Sequence, residues 1–198
     1  SPDKARGARY LLAAGDWARA VYANDDAIRH YERALRTLAE ATSDTTAVAE
    51  VEAAGLDARE RLADLIGLQG LRADALAHYA TVLHAVEGQR DPVRAARVLR
   101  KVGGLHWEAG ERECAGACFS EGLERLGDHG DPIERAHLFQ EMGRLAFRAG
   151  DNATAVAWGE RALAELPPLE AGRSRAAGEV DAAARNTLGV ALARLGRT

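Results

Sequence analysis

The sequence predicts an all-α protein, a right-handed α-solenoid of about four and a half helix pairs. Three observations lead there. First, apolar residues recur at three- and four-residue spacing nearly throughout, and nothing alternates as a strand would. Second, one pattern returns in the second helix of each pair: Ala27-Tyr31-Ala34, Ala75-Tyr79-Val82, Ala115-Phe119-Gly122 and Ala155-Gly159-Ala162. The leading alanines stand 48, 40 and 40 residues apart, a period that marks a stacked repeat. Third, the punctuation repeats too. Asp91-Pro92 and Asp131-Pro132 each open a first helix, and Gly70, Gly110 and Gly150 each close one.

The helices are expected at 4–22, 25–40, 46–68, 71–87, 92–109, 111–127, 132–149, 152–165 and 174–195. They form one domain over residues 1–198, with repeats at about 4–40, 46–87, 92–127 and 132–165 and a last unpaired helix at 174–195. Aspartate at a helix start accepts from free backbone N–H groups, and proline is tolerated where no N–H is needed. Glu134, three residues after Asp131, completes the pattern of a capping box. Thr42-Ser43-Asp44-Thr45 reads as a polar linker that lengthens the first spacing, and Pro167-Pro168 closes the fourth pair. Val102-Gly103, Met142-Gly143 and Leu188-Gly189 pair a large apolar residue with glycine, and Ala14-Gly15 and Leu62-Ala63 are weaker copies. Glycine inside a helix costs about 1 kcal/mol against alanine, so these glycines imply partner helices crossing with no room for a side chain.

Composition narrows the function. Hydrophobic residues make up 47% and charged residues 28%, as in a soluble, well-buried protein. The net charge of −4 argues against nucleic acid, which rewards a basic face. No apolar run approaches the roughly 20 residues of a membrane span, and no signal peptide is visible, so a cytoplasmic protein with no membrane partner is expected. The chain starts at Ser1 rather than Met, which suggests an excised piece. Cys114 and Cys118 read as small buried residues rather than a metal site or disulfide. Asn152-Ala153-Thr154 matches a glycosylation acceptor by chance. His30, His78, His84, His106, His129 and His137 are scattered, and no nucleophile elbow, phosphate-cradling loop or metal-spaced cluster appears. The expectation is no enzyme, no catalytic residue, no metal and no cofactor.

The large residue followed by glycine, then alanine, aromatic, alanine, and a closing proline at Pro167, resembles the tetratricopeptide repeat (TPR). The resemblance covers nearly the whole chain. It departs from the family in three places: the family period is about 34 residues, Gly159 replaces the fourth aromatic, and the opening tryptophan is absent. A narrower likeness lies in Leu11-Leu12-Ala13-Ala14-Gly15-Asp16, which leads into Tyr22-Ala23-Asn24-Asp25-Asp26-Ala27-Ile28-Arg29-His30-Tyr31-Glu32-Arg33-Ala34-Leu35. It resembles the C-terminal repeats of large bacterial regulators that combine a cyclase-like domain, an ATPase domain and a helical tail.

The family resemblance implies that first helices line a groove. Aligning the copies on their glycines gives candidate partner-binding residues Arg97, Arg100 and Trp107 in copy three. Copy four gives His137, Gln140, Arg144, Phe147 and Arg148, and copy five gives Asn186 with Arg194. Copy one offers Arg9, Asp16 and Arg19 and copy two Asp57, Glu60 and Asp64, so the groove is expected to be acidic near its start and basic, with two aromatics, toward its end. Guanidinium groups donate two parallel hydrogen bonds to a carboxylate. Two or three such bonds, at about 1.5–3 kcal/mol each, with one buried aromatic would give micromolar affinity. The alternative is that Trp107 and Phe147 pack on the next repeat while the arginines pair with nearby glutamates. The expected function is a non-catalytic protein- or peptide-binding module of a bacterial signalling or regulatory protein, its partner carrying acidic groups. The alternatives are a structural spacer that dimerises through the terminal helix, and a sensor of a small ligand or peptide.

Overall fold

A computed structural model of the chain describes residues 2–40, 48–89, 91–128, 130–168 and 174–197. The expected linker at Thr42–Thr45 and His129 lie outside the described residues. Among those described are nine α-helices and no strand: α1 (Pro2–Ala20), α2 (Asn24–Ala39), α3 (Val48–Leu68), α4 (Arg72–Gln89), α5 (Pro92–Glu108), α6 (Arg112–Leu126), α7 (Pro132–Ala149), α8 (Asn152–Ala164) and α9 (Arg175–Arg194). Each begins and ends within two residues of its expected place. They gather into two compact units, residues 1–89 and residues 90–198.

In the first unit α1 pairs with α2 and α3 with α4, while α2 packs on α3. Its core is Ala8, Ala27, Tyr31, Ala58, Leu65, Ala75, Tyr79 and Val82, all essentially covered. In the second unit α5 pairs with α6 and α7 with α8, and α9 lies on both α7 and α8. Ala96, Ala115, Phe119, Leu126 and Leu138 form one of its clusters, and Ala136, Leu166, Ala177 and Val180 another. Alanine dominates because two helix backbones approach closely only where side chains are short.

The four helix-pair turns share one geometry. The chain passes through the left-handed region at Tyr22 (φ 61°), Gly70 (81°), Gly110 (79°) and Gly150 (86°). The next N–H then bonds back to a carbonyl five residues earlier, as in Ala23 to Ala18 (2.9 Å), Leu71 to Ile66 (3.0 Å), Glu111 to His106 (2.9 Å) and Asp151 to Ala146 (3.0 Å). Tyr22 is the exception in chemistry, since a left-handed residue with a Cβ costs about 1–2 kcal/mol. Its ring is 89% exposed and contributes little packing. Tyr22→Gly is therefore expected to stabilise the first unit by about 1 kcal/mol, read as a higher urea midpoint at unchanged slope.

Gly15 and Gly103 sit where expected, Gly143 meets its partner helix with room for a methyl group, and Gly189 meets none. A Cβ on Gly15 would fall 2.4 Å from the Tyr31 ring, and one on Gly103 would fall 2.3 Å from the Phe119 ring. At Gly143 the nearest atom to an added Cβ is Trp158 Cβ at 3.4 Å, because Gly159 stands where the other repeats carry a ring. Gly189 is exposed with nothing within 4 Å of an added Cβ, so the close crossing expected there is absent. Asp91 caps α5 through the Arg94 N–H (2.9 Å) and Asp131 caps α7 through the Glu134 N–H (2.8 Å). The expected capping box is only half made, since the Glu134 carboxylate turns instead to Arg100. The cysteines also differ from expectation: Cys114 is exposed, Cys118 is half-buried, and both are free thiols. Both stand on α6 faces that no neighbouring helix covers fully.

Candidate functional site

In the second unit α7 lies between α5 and α9, so the expected groove residues of copies three to five belong to three neighbouring first helices. Arg100 on α5 reaches α7, where its Nε–H and a terminal N–H donate to the two oxygens of Glu134 at 2.5 and 3.2 Å. The Glu134 side chain is only 8% exposed. Arg144 on α7 lies over the Trp107 ring of α5, 4.5 Å from its centroid, and pairs with Glu141 at 2.5 Å. Burial pushes the Glu141 carboxyl upward, while Arg144 and Arg100 pull it down. Arg194 on α9 lies over the Phe147 ring of α7 at 4.4 Å. One relation thus occurs twice: an aromatic at the end of one first helix is covered by an arginine of the next. Cation–π contacts at such half-exposed sites contribute about 0.5–1 kcal/mol each.

The remaining candidates divide. Arg148 is exposed beside Phe147, and Asn186 is exposed on α9. Gln140 is buried and presents nothing to an incoming segment. Arg97 is half-buried and already has an interaction of its own. His137 is half-buried, and desolvation, then Arg100, pushes its pKa below the ordinary value, so it is neutral at pH 7. The basic character of this face therefore comes from guanidinium groups. Of the arginines on α7 and α9 that frame Phe147, neither Arg148 nor Arg194 has a carboxylate partner among the described residues.

The acidic half of the expected groove belongs to the first unit and is largely neutralised there. The Tyr31 hydroxyl donates to Asp16 at 2.8 Å and the Tyr79 hydroxyl to Asp64 at 2.6 Å. Asp16 also meets Arg61 at 3.1 Å, and Asp64 meets Arg19 at 3.4 Å. Burial, together with these carboxylates, drives both phenols far above their ordinary pKa, so they remain donors. These tyrosines are core residues, as expected, but the hydroxyl bonds were not foreseen. The signal was present: aspartate stands 15 residues before each tyrosine, and the same position before Phe119 is Gly104. A ring without a hydroxyl needs no acceptor there.

A Podosopora anserina protein of nearly identical TPR-like repeats superposes with a TM-score of 0.68, covering 98% of this chain and 88% of that one at 14% identity. The chain has the tetratricopeptide-repeat fold. BtubC (BKLC) from P. vanneervenii shares the fold at a TM-score of 0.69 and 18% identity, over 96% of this chain and 79% of that one. The MamA protein does so at 0.55 and 17%, over 94% and 91%. No protein-family model matches the sequence, and no curated protein is significantly similar to it. Within this TPR fold, no described helix is long and apolar enough to cross a membrane.

Proposed function

We propose that the chain is a protein- or peptide-binding module without catalytic chemistry of its own. Its docking point is the place where Arg194 covers Phe147 beside Arg148, and the segment it takes carries a carboxylate next to an apolar side chain. The observation that carries this reading is the division among the arginines. Arg100 and Arg144 already hold glutamates, whereas Arg148 and Arg194 have no carboxylate partner among the described residues. Stacking on Phe147 fixes the plane of the Arg194 guanidinium, so little side-chain freedom is lost when a carboxylate binds its edge. Asn186 on the same helix as Arg194 offers an amide to the segment's backbone. The wider setting, a bacterial regulator, rests on the resemblance of residues 11–16 and 22–35.

An array of extended peptides with and without Asp or Glu, probed with the whole chain, tests this. Acidic peptides with an apolar neighbour are expected to be retained, with affinity falling as salt rises. Arg148→Ala with Arg194→Ala is expected to weaken binding at least about tenfold, the loss of one charge-assisted hydrogen bond of about 1.5–3 kcal/mol or more, with unchanged helical circular dichroism. Equal retention by the folded double variant would sink the reading.

One observation favours a second reading, a small-ligand sensor. A hollow of about 470 Å³ in the first unit is lined by Leu35, Leu38, Val51, Leu56 and Ala85, with Arg59 at its edge. An amphipathic carboxylate that raises the melting temperature of the wild-type chain but not of Arg59→Ala would support it.

A further inference from the structure

The turn between α5 and α6 carries a cluster that the repeat does not require. His106 stands in the last turn of α5, Glu111 at the start of α6, and Cys114 one turn further along. The His106 Nδ1 lies 2.6 Å from a Glu111 carboxylate oxygen. One potential ligand atom from each of the three residues falls within 4.8 Å of the others. The turn is held by the Glu111 N–H to the His106 carbonyl (2.9 Å) and by the Gly110 N–H to the Trp107 carbonyl (3.0 Å). The side chains thus project from fixed backbone.

We propose that His106, Glu111 and Cys114 form a binding site for one zinc-type divalent transition-metal ion. Comparison of the four turns separates this cluster from packing. At the positions equivalent to His106, Glu111 and Cys114 the other turns carry Ala18, Ala23 and Asp26, then Ile66, Leu71 and Asp74, then Ala146, Asp151 and Thr154. The fold closes the same turn in each case without the trio. Glu111 also differs from Asp151, the one acidic residue at an equivalent position. Asp151 caps α8 through the Thr154 N–H at 3.0 Å, while Glu111 makes no cap bond to α6 and directs its carboxylate to His106.

The donor set selects the metal. Imidazole with thiolate suits zinc-class ions and excludes magnesium and calcium, which take oxygen ligands. Metal–ligand bonds of about 2.0–2.3 Å in a tetrahedron place ligand atoms about 3.3–3.6 Å apart. The His106–Glu111 contact therefore opens by under about 1 Å. Water takes the fourth position, because Cys114 and Glu111 are exposed. The cysteine loses its thiol proton to solvent on binding, and no redox change is involved. A metal here ties the end of α5 to the start of α6.

The test is titration of the reduced chain with Co²⁺ as a spectroscopic probe, followed by Zn²⁺ displacement. One equivalent of Co²⁺ is expected to give a sulfur-to-cobalt charge-transfer band with tetrahedral visible absorption, and Zn²⁺ is expected to remove both. His106→Ala and Cys114→Ser are each expected to lose the band and weaken binding more than about 100-fold, beyond the loss that a mere supporting partner carries. Cys118→Ser, on the same helix, is expected to keep it. The positions are at a surface turn, and unchanged circular dichroism confirms that each variant is folded. No saturable band in the wild-type chain, or a band that survives Cys114→Ser, overturns the assignment.

Discussion

Phe119→Ala is expected to cost about 3–5 kcal/mol, the loss typical of emptying a buried aromatic site. The ring is wholly covered, and Ala96, Ala115, Leu126 and Leu138 close around it. It stacks on α5 at Gly103, where a Cβ would fall 2.3 Å from the ring. The converse change, Gly103→Leu, drives side-chain atoms into that ring and is expected to cost about 1–3 kcal/mol or more by overpacking. The two changes are expected to be non-additive, because the leucine fills the space the ring has left, so the double variant should be more stable than the sum of the single losses. Urea unfolding of the four chains gives the coupling directly. Strict additivity would mean that Phe119 and Gly103 do not form the joint described here. Copy two shows how the joint tolerates a methyl group: Ala63 stands at the position of Gly103, and Tyr79 remains buried against that helix.

Arg100→Ala is expected to destabilise the second unit by about 2–3 kcal/mol, somewhat below the 3–5 typical of a fully buried pair, since Arg100 keeps 22% of its side chain in solvent. The cost arises because Glu134 remains buried on α7 without the two donors that hold it. Arg100→Ala combined with Glu134→Leu is expected to recover most of the loss, since an apolar residue needs no partner there. Thermal unfolding of both variants checks this. A single variant as stable as the wild-type chain would show that the pair contributes nothing. The same bond explains why Arg100, although a first-helix arginine at the expected place, is a poor anchor for an incoming carboxylate: binding would have to strip Glu134 first.

The repeat was legible in the sequence because its signals are local. Caps at Asp91 and Asp131, turn glycines at Gly70, Gly110 and Gly150, and the alanine–aromatic spacing all report on chain within a few residues of themselves. Tyr22 escaped because an L-residue in the left-handed region is imposed by the helix pair around it. Gly189 misleads because its pattern matches Gly103 while nothing lies within 4 Å of a Cβ placed there. The candidate site was legible only in outline. Which helix each arginine stands on follows from periodicity, but what it touches depends on residues 34 to 47 positions away, as in Arg100 with Glu134 and Arg194 with Phe147. The metal-type trio is hidden for a related reason: Cys114 and Cys118 share one helix, and only the turn before it brings His106 and Glu111 to Cys114.

The measurement that bears most directly on the central claim is a titration of the ¹⁵N-labelled chain with an acidic peptide retained on the array, followed by backbone amide shifts. The account expects saturable shifts centred on Phe147, Arg148, Asn186 and Arg194, along α7 and α9, and their loss in the Arg148→Ala/Arg194→Ala chain. Shifts confined to α6 and α8, or a peptide bound equally by the variant, would contradict it.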